Sequence, residues 1–397
     1  MTEYSQTASA AKPAIWILIV LAAVSPLAIN IFVPSMPSIA KDLGSSYATV
    51  QLGLSLYLLM TAMVSLVVGP ISDKIGRKPV ILAAFLIFLV GTALCIYAEN
   101  ATMFLAGRVI QTASSAGMVL SRAIVRDVYP REKSASMIGY VVMGMAIAPM
   151  IGPAIGGYID SIAGWRWSFA MLGAFGTLAV VATWVSLPET NSFAGQTASN
   201  QLRAYKTILT MPLFWLYTAS ASLAAAVFFG FLGGGPAVSS VFFEQTPFEY
   251  GLYFSLCAIG YASGNGISGR FSESIGVERM MTFGAVTTLL GPVISLCLFL
   301  IFANPAPWMM FVPLALVGLG NGMTLPNVTA ATISLRPEAA GAASGLLGAL
   351  QIGGGAVASV IGAIVVGETG SPIALCTLLV VFGVVALFVT SKSARQS

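Results

Sequence analysis

Residues 69–79 read Gly69-Pro-Ile-Ser-Asp-Lys-Ile-Gly-Arg-Lys-Pro79, a short basic loop wedged between two long apolar runs. Two hundred positions later the chain nearly repeats it: Gly69, Ser72, Ile75 and Gly76 recur as Gly269, Ser272, Ile275 and Gly276, and Asp73 recurs as Glu273. A charged hairpin between hydrophobic segments, written twice at one offset, describes two related halves. Segments that cross lipid must satisfy their own backbone polar groups, so the polar hairpins are where such a chain turns in water. Two membrane-embedded halves of this kind are built to move something across a bilayer.

Composition points the same way. Hydrophobic residues make up 57% of the 397 positions and charged residues only 8%, where a soluble domain carries about 25% charge. So little polar surface cannot cover a particle in water, and lipid must be the solvent. The net charge of +4 sits in short hairpins rather than on one face, which argues against nucleic acid as a partner. With no histidine in the chain, imidazole metal ligation and imidazole proton relays are excluded. Cys95, Cys257, Cys297 and Cys376 fall in separate apolar runs without metal-ligand spacing. Neither a cofactor nor a metal site is expected. No nucleophile–base constellation can be assembled, so an enzyme is not expected either.

A spanning helix needs roughly 20 apolar residues. Twelve such segments can be marked, at about 14–33, 48–68, 80–98, 103–125, 136–159, 165–187, 212–236, 249–269, 280–303, 308–332, 341–366 and 371–391. The first is too long for a signal sequence and lacks a cleavage site, so it is read as a retained helix. The longest break begins at Pro188-Glu189-Thr190 and stays polar to Lys206. The expected organisation is a six-helix half at 1–187, a cytoplasmic linker at 188–210 and a second six-helix half at 211–397. With the N-terminus inside, Lys12, Lys74, Arg77, Lys78, Arg126, Arg131, Lys133, Arg203, Lys206, Arg270, Arg279, Arg336, Lys392 and Arg395 are cytoplasmic, and only Lys41 and Arg166 lie outside. That asymmetry predicts both termini in the cytoplasm.

Four stretches carry more specific signals. In the repeated loop, Gly69 predicts a helix end that approaches a neighbour closely. Asp73 can cap a helix and pair with a cation, for which Arg126 is the natural candidate. Lys74, Arg77 and Lys78 serve either this loop or topology alone. The fourth segment holds Leu105-Ala-Gly-Arg108-Val-Ile-Gln111. A charge at the membrane centre costs roughly 2.5–3.5 kcal/mol, so Arg108 must face water, a partner or a substrate, or be held by carbonyls. Arg122 stands close enough to the inner surface to snorkel. In the fifth segment Gly144, Ala148, Gly152 and Gly156 recur every four residues and form one smooth face, with Pro149 and Pro153 bending the helix. That face is expected to pack on the eighth segment, which offers Gly260 and Gly264. The first segment ends in Asn30-Ile-Phe-Val-Pro34-Ser-Met-Pro37.

Together these stretches resemble the major facilitator superfamily, and more narrowly its Bcr/CflA-type drug-resistance branch, along essentially the whole chain. The resemblance implies an all-α integral membrane fold of twelve transmembrane helices in two pseudo-symmetric bundles. It implies a charge lock between Asp73 and Arg126, with Gly69, Gly76, Arg77, Gly152 and Pro153 as gating or structural positions. The glycine–proline pattern of the fifth segment resembles a motif typical of exporters. Many relatives carry an Asp where this chain has Asn30, and an amide cannot titrate. By segment boundaries, all 14 acidic residues fall in termini, loops or helix ends, so no buried carboxylate stands out to replace it.

In such a fold segments 1, 2, 4, 5, 7, 8, 10 and 11 line the pathway. The substrate-binding candidates are Asn30, Gln51, Tyr57, Arg108, Gln111, Met118, Arg122, Met143, Phe228, Phe231, Tyr253 and Asn321, where Asn321 either lines the path or holds its own helix together. The implied function is export of small organic molecules by proton antiport and alternating access, by a monomer in the bacterial cytoplasmic membrane. With Arg108 as the main intramembrane charge, neutral, anionic or zwitterionic substrates are expected over lipophilic cations. The alternatives are a dedicated exporter or importer of one metabolite or metal chelator, and a transport-dead sensor.

Overall fold

Gly76 and Gly276 both take positive φ angles, 110° and 97°. Each donates its amide to the carbonyl four residues back, Ser72 at 2.9 Å and Ser272 at 3.0 Å. The repeat in sequence is therefore a repeat in geometry. A residue with a Cβ is strained at such a φ, which is why glycine stands at both turns.

The computed structural model describes residues 13–129, 131–191, 206–336 and 340–396. Its helices are α1 (Ile15–Asp42, interrupted by a tight turn at Val33–Ser35), α2 (Tyr47–Ile75), α3 (Arg77–Ile96) and α4 (101–128, with a tighter turn at Thr112–Ser114). They continue as α5 (Arg131–Ala163), α6 (Arg166–Ser186), α7 (Pro212–Phe242) and α8 (Pro247–Ile275). The last four are α9 (Val277–Ile301), α10 (Trp308–Ser334), α11 (Ala340–Val366) and α12 (Pro372–Gln396). Every apolar segment marked in the sequence corresponds to one of them. Among the described residues nine are long and apolar enough to cross a membrane by composition alone. The other three, α4, α5 and α8, carry more of the chain's polar and charged residues. The linker at 192–205 lies outside the described residues.

Helix starts follow local chemistry. Asn100 accepts the amide of Met103 at the start of α4, and Thr246 with Glu249 forms a reciprocal cap on α8.

The halves meet along two seams, α5 with α8 and α2 with α11. The smooth face of α5 does not pack on α8. Gly144 abuts Ile19, Gly152 abuts Leu27 and Asn30, and a Cβ on Gly156 would collide with the carbonyl of Ile31. All four partners are on α1. The next positions round α5 meet α8: Gly157 faces the carbonyl of Pro247, and Gly251 faces that of Pro153. Gly260 and Gly264 pack on α10, against Ala315 and Leu319. A four-residue stripe advances only slightly per turn, so one stripe serves one neighbour.

Both seams are tight at the end away from the linker. There Tyr47 donates to the carbonyl of Gly233 at 2.7 Å, and nearer the middle the hydroxyls of Ser55 and Ser359 are 2.8 Å apart. Toward the linker, a Cβ on Gly69, Gly266, Gly269, Gly345 or Gly348 would meet nothing within 4 Å. Gly69 thus has no close neighbour here, contrary to the sequence expectation, because the halves stand apart at its level.

Candidate functional site: a cavity between the halves

A cavity of about 240 Å³ lies between the halves. All eight expected helices contribute to its wall. Most of the lining is apolar, with Phe228, Phe229, Phe254, Met118, Met145 and Ile352 supplying the bulk. Among the described residues, none that lines it is Asp, Glu, Lys or Arg. Aromatic rings and thioethers adapt to varied apolar shapes.

Three polar side chains reach this wall without a partner. Asn30 of α1 is 4% exposed, Thr61 of α2 is 1% and Asn321 of α10 is 3%. The Asn30 Oδ1, Thr61 Oγ1 and Asn321 Oδ1 atoms are buried and make no hydrogen bond. The Asn30 amide is oriented by its own helix: Nδ2 donates to the carbonyl of Pro26 at 2.8 Å. Only the NH2 end can donate to a carbonyl, so Oδ1 is turned away from the helix.

Of the residues expected at the site, Asn30, Met118, Phe228 and Asn321 line the cavity. Arg108 does not. It is fully buried inside the N-terminal half. Its guanidinium donates to the carbonyls of Ala28 at 3.1 Å and Gly53 at 3.4 Å, and to Gln111 Oε1 at 2.7 Å. The rings of Phe32 and Tyr57 lie 4.1 and 4.5 Å from it. Carbonyl dipoles and ring faces stabilise a cation where a carboxylate is absent. Gln111 belongs to the same cluster, and its Nε2 donates to Thr92 Oγ1 at 2.8 Å. Tyr57 bonds to Ser25 and Ser114 at 3.2 and 2.9 Å. Gln51 donates to Ser55 at 2.9 Å, behind the α2–α11 seam.

Phe231 is packed in an aromatic cluster with Tyr250, Phe254 and Phe311, and Tyr253 stacks on Phe311 at 4.9 Å. Neither lines the cavity. Arg122 does not line it either, but it lies within electrostatic reach of Tyr261, which does. Its Nε is buried without a partner rather than extended to the surface. The side chain of Met143 lies outside the described residues.

At the linker end the expected pairing of Asp73 with Arg126 is not the one made. Arg77 bonds Asp73 at 2.6 Å and Asp127 at 2.9 Å, and Arg126 is exposed. Arg77 reaches Asp73 across the Gly76 turn, four residues away. Glu189, just beyond α6, accepts the amides of Arg77 and Lys78 at 2.9 and 3.1 Å and so caps α3. One arginine between two carboxylates, with a third carboxylate capping its own helix, ties α2, α3, α4 and α6 together.

The sequence model of the Major Facilitator Superfamily matches residues 18–244 and 235–396. The chain belongs to this superfamily. It is a multi-pass membrane transporter and not an enzyme. It is 31% identical to a chloramphenicol resistance protein of Pseudomonas aeruginosa, covering 74% of this chain and 70% of that one. Multidrug resistance protein D of Escherichia coli is 28% identical, with 86% of each chain covered. A bicyclomycin resistance protein homologue of Haemophilus influenzae is 26% identical over 95% and 96%. A bacterial homologue of the human lysosomal transporter Spinster, in an inward-facing unoccupied conformation, has the same fold, with a TM-score of 0.75 over 96% of both chains at 18% identity.

Several residues of this transporter's cavity went unnoticed in the sequence. Phe254, Cys257, Ala258 and Tyr261 line it from α8. Their spacing of three and four residues marks one helix face, a signal the sequence does carry. Asp127 and Glu189 had no such signal. Each is an ordinary interfacial acid until the fold brings Arg77 beside it.

Proposed function

We propose that the transporter exports small organic molecules by alternating access, driven by proton antiport, as a monomer in the bacterial cytoplasmic membrane with both termini inside. The observation that carries this reading is the cavity shared by both halves, sealed at the end away from the linker and loosening toward it. That arrangement supports an inward-facing state awaiting a cytoplasmic substrate. The names of the drug-resistance relatives support organic drugs as the substrate class. Asn30 and Asn321, with Phe228 and Met118, are the proposed substrate contacts. The Arg77 network is the proposed brace of the cytoplasmic end, and Arg126 is left to meet Asp73 in the opposite state.

Proton coupling needs a titratable group, and Asn30 is not one. Asp160 is the best candidate. Helix α5 runs on to Ala163, so Asp160 sits inside its last turns rather than in a loop. Its Oδ2 is buried without a hydrogen bond, and Ser35 and Ser38 of α1 face the carboxyl group. A carboxyl group held between α5 and α1 at the sealed end changes its access to water as that end opens and closes, which is what a coupled proton site requires. The test is purified protein in liposomes under an imposed pH gradient, with chloramphenicol in the substrate panel. Accumulation toward the acidic side supports antiport; transport indifferent to the gradient removes it.

A further inference from the structure

We infer that the central cavity selects uncharged molecules with an apolar body and hydroxyl or amide N–H donors, which Asn30, Thr61 and Asn321 accept from both halves at once. This names the substrate class of the cavity and rests on the export reading only for the direction of transport.

Among the described residues thirteen buried side-chain polar atoms lack a partner, and three of them belong to residues that line this one cavity. A helix-borne hydroxyl or amide can satisfy itself on the carbonyl one turn back, and many in this chain do. Thr92, Thr177 and Thr332 donate to Phe88, Gly173 and Val328 in this way, and Asn327 donates to Met323. Thr61 makes no such bond. Most buried polar atoms are paired, and each exception calls for a reason. Of the thirteen exceptions, the three on cavity-lining residues are all oxygens and come from α1, α2 and α10, so they converge on one space from both halves. A donor-bearing ligand supplies the missing partners.

Charge is disfavoured in either sign. A cation would find acceptors but no acid among the described lining residues. An anion would face those oxygens, with Arg122 outside the wall and in reach of Tyr261 alone among the lining residues. The Arg108 guanidinium is already committed to carbonyls and rings inside its own half. An ion transferred into such a wall loses hydration without a counter-ion. This replaces the sequence expectation that anions and zwitterions would be favoured alongside neutral substrates. The body of the ligand is set by Phe228, Phe229 and Phe254, which offer ring faces rather than donors. Contacts on α1 and α2 from one half and α10 from the other mean that one ligand bridges the moving parts.

Four size-matched probes test this on the full chain in lipid nanodiscs, with partitioning into empty discs subtracted. They are 2-naphthaleneethanol, its methyl ether, 2-naphthylacetate and the trimethylammonium analogue. The alcohol is expected to bind at least about tenfold more tightly than the ether, since a site built to accept a hydroxyl rejects the analogue lacking it. Both charged probes bind more weakly than the alcohol. Asn30→Leu, Thr61→Val and Asn321→Leu each erode the alcohol's advantage and spare the ether, while Thr61→Ser retains it. Thr61→Val is isosteric and carries the test even where an asparagine substitution fails to fold. Equal binding of alcohol and ether overturns the inference. So does tighter binding of either ion, or an alcohol preference that survives Thr61→Val together with whichever asparagine substitution folds. Donor preference without gradient-driven export would leave this inference standing and remove the export reading. Export without donor preference would do the reverse.

Discussion

Arg108 shows how one residue's role turns on the direction its side chain takes. Its position in the fourth segment is compatible with a substrate site or with a structural clamp, and the two differ only in which helix face it occupies. The structure turns it inward, onto the carbonyls of Ala28 and Gly53. Arg108→Ala therefore leaves those carbonyls and Gln111 unpartnered in a buried space. It should cost on the order of 3 kcal/mol of stability, read from unfolding in detergent, and leave the ranking of transported substrates unchanged. A changed ranking at unchanged stability would return Arg108 to the substrate path. Arg108→Lys should be nearly as damaging, since an ammonium cannot hold three divergent acceptors in one plane. Asp160 makes the complementary case. If its carboxyl group carries the coupled proton, Asp160→Asn should abolish gradient-driven transport in liposomes while substrate exchange at equal pH persists. Gradient-driven transport at the original rate in that variant would move the proton elsewhere.

Elements were more legible than side chains. Twelve apolar runs became helices because lipid leaves a spanning backbone few other choices. The hairpin glycines were legible too, since their positive φ excludes most residues. The neighbour of each helix was not. The stripe of Gly144, Ala148, Gly152 and Gly156 states that something packs closely, and nothing local says whether that is α1 or α8. Gly156 and Gly157 separate the two outcomes. A Cβ on Gly156 collides with the carbonyl of Ile31 inside the N-terminal half, and a Cβ on Gly157 collides with the carbonyl of Pro247 across the seam. Gly156→Val should lower the yield of folded protein. Gly157→Val should fold, because the clash is relieved by parting the halves, and should loosen the sealed end. Size-exclusion profiles with distances between spin labels on the outer ends of α5 and α8 check both. Equal loss of folded protein in the two variants would contradict this division of labour.

At the scale of the whole molecule, transport depends on how strongly the sealed end is held. The contacts across it are few and polar at identifiable points: Tyr47 to the carbonyl of Gly233, and Ser55 to Ser359. Backbones approach closely at Gly157 and Gly251, and the rings of Tyr158 and Phe248 meet edge to face at 5.6 Å. Nothing in the sequence pairs Tyr47 with Gly233, because they lie in different halves and only the closed arrangement brings them together. A seal of this kind must be breakable within a transport cycle, so no single bond can dominate it. Removing the Tyr47 hydroxyl deletes one hydrogen bond that exists only when the halves are closed here. Tyr47→Phe keeps the ring, and the lost bond is worth about 1 kcal/mol. That shifts the balance toward the open arrangement by roughly fivefold. Spin-label distances between the outer ends of α1 and α7 should show the population move in that direction, with unfolding temperature nearly unchanged. A distance distribution identical to the parent's would mean that the Tyr47 hydroxyl takes no part in holding the seal and that the remaining contacts suffice.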